Sequence, residues 1–535
     1  MSNDAQIGFT RVTSPQWLSR LALGLAALEP ALVWILARQP LAQSQETGFW
    51  SIVTACAVAV VPWPMVGAVM LLVCLPLTLT WIGCVLVTGS GPTFALVLAA
   101  ATASPAEVGA AVSEAALQPS FVLLAALQVL LIGMVLAWGR RVQDSRRGWI
   151  PPVFAILLGA TLFVRLAPDF GYARALGWMS PESWRSVVWL SHIDVLRAAT
   201  QEGLERWTYG GESFVRDGRR APANFHANPG LAVFVLGESL RADALAVPAR
   251  GPWSKGLIER LDRGMGMRLA DACASANVTA IAVPRLLTMA DPADERTARQ
   301  GQTLLAYAKA AGAYTAWISV QETLLVKEAG HDVVQQLSSS AELGPYDDVA
   351  VLALRQFAAT TRAHPARSAL VHLLGQHFHY ADRYPPDLFA PEPDGLSPDE
   401  RETLRYHRAA EFGAKTLLEI ASVLDAESNP AYAVFTSDHG ENLVSDGHHK
   451  KFHAGVPGQL DTRVPTLVLW NEAFAATGLT KLLAPFRQAD LVAHRDVARL
   501  WLALAGSPGE VLPTPHPTTW SGPPRGEIPC AELGP

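Results

Sequence analysis

Apolar positions are distributed in two different ways along the chain. In its first third they run in long unbroken blocks. From Thr47 to Ala106 there is no Asp, Glu, Lys or Arg, and a membrane-spanning helix needs about 20 apolar residues. This block has room for two spans, with Pro62, Trp63 and Pro64 at the hairpin between them. Leu21–Ala37 precedes it, apolar apart from Glu29, and Phe121–Trp138 and Ile150–Val164 follow it. The pattern predicts five spans, near 21–37, 50–66, 68–88, 120–138 and 150–167. Four further apolar segments follow the first, which makes that one an anchor rather than a cleaved signal.

From Leu231 onward the apolar runs become short and rich in β-formers: LAVFVLG (231–237), AYTAWIS (313–319), SALVHLLG (368–375), AYAVFTS (431–437) and PTLVLW (465–470). Helical stretches lie between them, such as Thr303–Ala311 and Arg405–Ala426. Buried strands alternating with helices predict a mostly parallel α/β sheet, which binds ligands at the carboxyl ends of its strands. Between the two regimes, the stretch around SPESWRSVVWLSHIDVLRAATQEGLERW reads either as an interfacial amphipathic helix or as a packed linker helix. The expected organisation is a five-span membrane domain (1–168), bridging helices and linker (169–229), an α/β catalytic domain (230–505) and a Pro-rich C-terminal tail (506–535). No internal repeat is visible.

Composition agrees with this division. Half of the 535 residues are hydrophobic and only 17% are charged, against about 25% in soluble domains. A net charge of −6 argues against a nucleic-acid partner, which would need a basic face. Five cysteines are too few for a disulfide-framed secreted scaffold. The loop after the fourth span carries Arg140, Arg141, Arg146 and Arg147 against Asp144, so the positive-inside rule makes it cytoplasmic. The loops after spans one and three hold Arg38, Glu46, Glu107 and Glu114, with little net positive charge. The N-terminus is then cytoplasmic, and everything after the fifth span lies outside. Glu29 is costly in hydrocarbon and is expected to be protonated or to face other helices.

Candidate chemistry clusters at the expected strand ends. The first run leads into Glu238 and Ser239, the fourth into Asp438, His439, Gly440 and Glu441, and the third holds His372 and leads into Gln376 and His377. Carboxylates and imidazoles arriving from separate strand ends suit a Zn²⁺-type site.

At these residues the chain resembles the phosphoethanolamine transferases of Gram-negative inner membranes, in the alkaline-phosphatase/sulfatase superfamily. The motifs that carry the resemblance are FVLGESLRADAL (234–245), NVTAIAVP (277–284), AWISVQ (316–321), HLLGQHFHYADRYP (372–385), FTSDHGENL (435–443) and DGHHKKFHAGVP (446–457). It extends over nearly the whole chain and implies an α-helical five-span membrane domain followed by a periplasmic sulfatase-like α/β domain.

The resemblance implies Glu238, Asp438, His439 and Thr279 as ligands of one tightly bound Zn²⁺, with Thr279 as nucleophile. His372, His377 and His453 match histidines that hold a second metal or substrate. The donor would be phosphatidylethanolamine from the surrounding lipid. The acceptor would be an envelope glycan, with lipid A or lipopolysaccharide core first, and cellulose or periplasmic glucans open. The implied location is the bacterial inner membrane, multi-pass.

Departures from the family pattern are also visible. Cys273 stands further ahead of the nucleophile than the family's Cys-Gly pair, and Cys530 is the only other cysteine outside the expected spans. A bridge between them is open to the chain in an oxidising compartment. Cys56, Cys74 and Cys84 read as small packing residues within the spans. YHRAAEFGAKT (406–416) lacks the acidic and asparagine positions expected on the corresponding family helix. His192, His226 and His364 read as surface residues, His379 as packing or solvated, and His448 and His449 as a solvated loop. A sulfatase would need a modifiable Cys or Ser in C/S-x-P-x-R, which neither Cys273 nor Ser275 provides. A phosphoglycerol transferase acting on a periplasmic glucan is the enzymatic alternative. A catalytically inactive interaction protein is the other, although Glu238, Thr279, Asp438 and His439 are all retained.

Overall fold

A computed structural model describes residues 79–80, 82–86, 109, 112, 119–139 and 224–534, with breaks at 246–250, 322–329, 338–345, 447–451, 454–455, 508, 510 and 521–525. The expected spans 21–37, 50–66 and 150–167 lie outside the described residues, as do Glu29, Cys56, Cys74, the 140–147 loop, His192, His448 and His449. By its internal contacts the chain divides into two units, 1–92 with 109–194 and 93–108 with 195–535.

In the first unit, helix α1 (Pro119–Gly139) runs unbroken for 21 residues without a charged side chain, where the fourth span is expected. Leu124 is buried against Ile82 and Val85, whereas Val122, Leu123, Val129 and Leu130 are each more than half exposed. Cys84 is half-buried and unbridged. Among residues whose side chains are described, no helix is long and apolar enough to cross a membrane.

The second unit is built on β1 (Gly230–Gly237), β2 (Gly266–Arg268), β4 (Tyr314–Ser319), β5 (Val333–Gln336), β6 (Ala366–His372), β7 (Ala431–Ser437) and β9 (Thr466–Trp470). These form one sheet in the order β2-β9-β7-β1-β6-β4-β5. Two smaller assemblies flank it: β3 (Ala272–Cys273) with β8 (Arg463–Val464) and β10 (Val492–Ala493), and a ribbon of β11 (Thr518–Trp520) with β12 (Glu527–Pro529). All five expected apolar runs are strands, and β7, β1, β6, β4 and β5 are mutually parallel. Strand β9 is antiparallel to β7, its first residue pairing Thr466 with Thr436. Strand β9 thus begins beside the end of β7, and a strand entered from the edge where its neighbour ended must run back.

Central strand β1 is buried along its whole length, so alternate side chains feed two cores. Leu231, Val233 and Val235 pack on one side with α5 (Asp348–Thr360) and α6 (Pro398–Asp425). Ala232, Phe234 and Leu236 pack on the other with α3 (Thr279–Thr288), α4 (Leu304–Ala310) and α7 (His494–Leu504). Helix α2 (Pro252–Asp262) lies against α6. Helix α6 begins seven residues before the expected Arg405, because Ser397 and Glu400 form a capping box: the Ser397 N–H donates to the Glu400 carboxylate at 2.9 Å.

Two buried polar links tie these layers together. Arg367 on β6 pairs with Glu427 after α6 at 2.6 Å, with side chains 1% and 5% exposed. Glu427→Ala would strand the guanidinium in the core and is expected to cost about 3–5 kcal/mol, read as a lowered thermal unfolding midpoint. His494, at the start of α7, accepts the Ser275 N–H at Nδ1 (3.3 Å) and therefore donates Nε2–H to the Ser437 carbonyl (2.9 Å). The bond from Ser275 needs an unprotonated Nδ1, and burial pushes the ring's pKa down to about 4.

A base with a depressed folded-state pKa loses its contribution as pH falls through the window from 6.5 to about 4. The loss is on the order of 3 kcal/mol at 1.36 per unit. The same window holds His372, also pushed down to about 4 by burial. His494→Asn should therefore flatten part, not all, of the acid limb of unfolding midpoint against pH. An unchanged limb would assign the whole acid effect elsewhere.

Candidate active site

Strand register builds the site. Gly237 pairs with Ser437 across β1 and β7, and Leu236 with His372 across β1 and β6. Ser319 at the end of β4 also pairs with His372. The residues that follow, Asp438, Glu238 and Gln321, emerge side by side with His372 at the carboxyl edge. Close approach here excludes side chains: a Cβ on Gly375 (φ +55°) would lie 2.7 Å from the Glu238 carbonyl oxygen, and one on Gly440 would lie 2.1 Å from that of Leu460. Ser239 itself sits at φ +57°, a conformation non-glycine residues seldom hold without support. Its N–H donates to Asp438 Oδ1 at 3.1 Å and its hydroxyl to Glu238 Oε1 at 3.0 Å.

Thr279 arrives from the other direction, as the first residue of α3. Val278 in front of it is extended and offers no side-chain cap, so the helix's first N–H groups and its positive end face the site. The Thr279 hydroxyl lies 3.0 and 3.2 Å from the Glu238 oxygens and 3.1 Å from His439 Nε2. His439 Nε2 is also 3.3 Å from Glu238 Oε1 and 3.4 Å from Asp438 Oδ2. His439 Nδ1 donates to the Gly440 carbonyl at 2.7 Å. That bond leaves Nε2 turned toward the two carboxylates.

Glu238, Asp438 and His439 are completely buried. Burial opposes the imidazolium, yet the charges of Asp438 and Glu238 and the Gly440 carbonyl outweigh it and push His439 up to about 10. Burial and the charge of Glu238 raise Asp438 to about 6. Glu238 is also penalised by burial, but His439 and His453 hold it below the usual carboxylate range. The pocket is therefore one of concentrated negative potential.

The donor set fits a divalent metal of the zinc type. Glu238, Asp438 and His439 each offer one ligand atom, all within 4.8 Å of one another, and Asp438 Oδ2 is buried without a hydrogen-bond partner. Two carboxylates and an imidazole oriented through its far nitrogen form a mixed N/O set with one position open.

The three further histidines divide. The His453 ring lies against that of His439, tilted by 46° with centroids 4.1 Å apart, and its Nδ1 is 3.3 Å from buried Glu441. His372 ends β6 completely buried, its Nε2 unpaired and Asp438 opposing its low pKa. His377 is half-buried on the following loop, with its ring 4.8 Å from that of Phe378. His226, His364 and His379 are exposed.

Several participants carry no role in the sequence reading. Gln321 bridges Glu238 Oε2 (3.1 Å) and the Leu373 carbonyl (3.0 Å); its position at the end of an apolar strand was its signal. Asp461 accepts from Asn277 (2.9 Å) and Asn442 (3.1 Å), joining the segment before Thr279 to the segment after His439. His494 had no signal at all. Glu411 is the acid within YHRAAEFGAKT, and it caps α2, accepting from the Trp253 and Ser254 N–H groups at 2.7 and 3.1 Å. Cys273 and Cys530 form a disulfide, with Cα atoms 6.4 Å apart.

Known proteins share this fold. Lipooligosaccharide phosphoethanolamine transferase A (EptA), an integral membrane protein from Neisseria meningitidis, superposes with a TM-score of 0.64 at 16% identity, covering 98% of this chain and 99% of its own. The zinc complex of the C-terminal periplasmic domain of EptC from Escherichia coli superposes with a TM-score of 0.50 at 20% identity, covering 60% of this chain and 97% of its own. No curated protein matches the sequence. The sulfatase family model matches residues 231–507, more than half of the 535. With the strand-end acids and histidine in place within that stretch, the chain belongs to the sulfatase family.

Proposed function

We propose that this protein transfers phosphoethanolamine from phosphatidylethanolamine to an envelope glycan through a covalent intermediate on Thr279. The observation that carries the reading is the Thr279 hydroxyl: it stands at a helix N-terminus, 3.0 Å from Glu238 and 3.1 Å from His439, in front of a buried carboxylate pair. A threonine hydroxyl is a poor nucleophile near neutral pH and needs a base or a metal beside it. A zinc-type ion held by Glu238, Asp438, His439 and the Thr279 oxygen would lower that hydroxyl's pKa and offset charge on the phosphoryl oxygens.

The chain's own groups supply the rest. The Thr279 oxygen attacks phosphorus, the bond to the diacylglycerol oxygen breaks, and diacylglycerol leaves. The positive end of α3, at Thr279, would favour phosphoryl oxygens as they gain charge. A hydroxyl or phosphate of the acceptor then attacks the same phosphorus and frees Thr279. His453, whose ring lies against His439, and His377, on the loop after β6, are assigned to phosphate or acceptor contact. Lipid A or lipopolysaccharide core is the preferred acceptor.

Membership in the sulfatase family and the full-length likeness to an integral membrane transferase support this reading. So does α1, an uncharged 21-residue helix with apolar side chains on its outside. We place the protein in the bacterial inner membrane with five spans, N-terminus cytoplasmic and catalytic domain periplasmic.

Two experiments test it. With head-group-labelled phosphatidylethanolamine and no acceptor, the full-length protein should acquire label on a peptide containing Thr279. Thr279→Ala should lose label and transfer while keeping its fold. Label on Ser239 or Ser275, or a glycerophosphate adduct in its place, would refute the assignment. For topology, a reporter active only in the periplasm should give signal when fused after Gly230 and none when fused within 140–147. The reverse pattern overturns both the orientation and the lipid donor.

A further inference from the structure

Residues 511–534 follow the last helix of the catalytic fold and read in sequence as a Pro-rich tail. In the structure residues 511–520 and 526–534 are laced to the segment that delivers Thr279. The Trp520 N–H donates to the Ser275 carbonyl at 2.8 Å, and the Arg285 guanidinium of α3 lies 5.4 Å from the centre of the Trp520 ring. The Glu527 carboxylate accepts the Ala293 N–H at 2.8 Å, just beyond the end of α3. The carbonyls of Leu533 and Gly534 accept from Gln459, at 2.8 and 2.9 Å. Gln459 opens the turn that holds Asp461, which joins Asn277 to Asn442. The tail thus touches the chain on both sides of Thr279 and behind the Asp438–His439 turn.

At its start the tail is anchored by Val511, packed against the core, and by the Thr514 N–H, which donates to Asp496 at 2.6 Å; beyond that its own structure is slight. Its ribbon pairs only three residues from each strand, and an isolated two-stranded ribbon is marginal in water. The apolar contact beneath it is a small cluster of Cys273, Cys530 and Leu533, with Leu491 and Ile528 against it. The one covalent link is the Cys273–Cys530 disulfide, six residues before Thr279.

Resting on the reading of Thr279 as nucleophile, we propose that the segments 511–520 and 526–534 form a positioning strap for Thr279, closed by the Cys273–Cys530 disulfide, so that intermediate formation depends on its oxidation. Reduction by a thiol breaks one S–S bond and leaves two thiols, with both electrons and both protons coming from the reductant. Residues 273–278 then keep only noncovalent contacts with the strap, and the Thr279 oxygen loses its fixed approach to Glu238 and His439. A shift of about 1 Å at a reacting atom costs on the order of a hundredfold in rate.

The test uses the full-length protein in phosphatidylethanolamine-containing nanodiscs, oxidised, reduced, and as Cys530→Ser. Reduction should slow labelling of Thr279 about tenfold or more while donor KM stays within about twofold. Amide exchange over 274–288 should quicken, and reoxidation should restore both. Cys530→Ser should start slow and ignore reductant, and Trp520→Gly should be slow with the disulfide intact. Equal labelling rates in oxidised and reduced protein, or unchanged exchange over 274–288, overturn the strap. If Cys530→Ser fails to fold, reduction of the folded parent becomes the deciding measurement. Should oxidised parent protein take no label on Thr279, the proposed function fails, and amide exchange alone decides the strap.

Discussion

Glu238 and Asp438 are two carboxylates without exposed surface, set beside each other because Gly237 pairs with Ser437 in adjacent parallel strands. Burying one carboxylate is costly, and burying two together is more so, unless positive charge and hydrogen bonds offset them. Everything around them answers that burden. Gln321 and the Ser239 hydroxyl donate to Glu238, while the Ser239 and His439 N–H groups donate to Asp438. His439 supplies the imidazole between them, turned by its bond to Gly440. A cation held there would meet the remaining demand, and the hydroxyl in the same pocket, Thr279, is the group it would activate. Structural need and chemical use thus coincide on one set of atoms.

What the sequence could reveal depended on whether a residue's task was local. Strand β1 is apolar at every interior position because both of its faces are covered, so it was legible as LAVFVLG, and the Glu after it followed from the rule that parallel sheets bind at their carboxyl edge. The Asp438–His439 pair was legible for the same reason. Gln321 stands at the same edge, but a lone amide after a strand has many structural uses. Its bond to Glu238 follows from strand order, with β4 beside β6 and β6 beside β1, which short-range pattern does not encode. His494 is further from reach, since it joins Ser275 and Ser437 from 219 and 57 residues away. The antiparallel direction of β9 was hidden too: an apolar run looks the same entered from either end.

The tail illustrates the same limit from the other side. Its proline-rich composition gave no sign of these contacts, because most of them are made by backbone groups whose partners are distant. The Trp520 N–H and the Leu533 and Gly534 carbonyls bind residues that nothing near them in the chain identifies. The two cysteines were a local sign of proximity, and only the fold brings their Cα atoms to 6.4 Å.

The division between strand ends and loops also bears on what kind of reaction the site can run. Glu238, Asp438 and His439 are fixed on the sheet edge, whereas His377 and His453 stand on connecting segments, where specificity varies at little cost to the fold. On the proposed reading, an unmodified Thr279 as the nucleophile has a chemical consequence. Its oxygen, once bonded to phosphorus, carries no second hydroxyl on the same carbon, so the ester cannot collapse by elimination. Release requires another nucleophile to attack the phosphorus. The fixed groups are therefore suited to both displacements, and whether water or a glycan makes the second is left to the loop histidines and their surroundings. A transferase differs from a hydrolase here in what those loops admit, not in the buried centre that both would share.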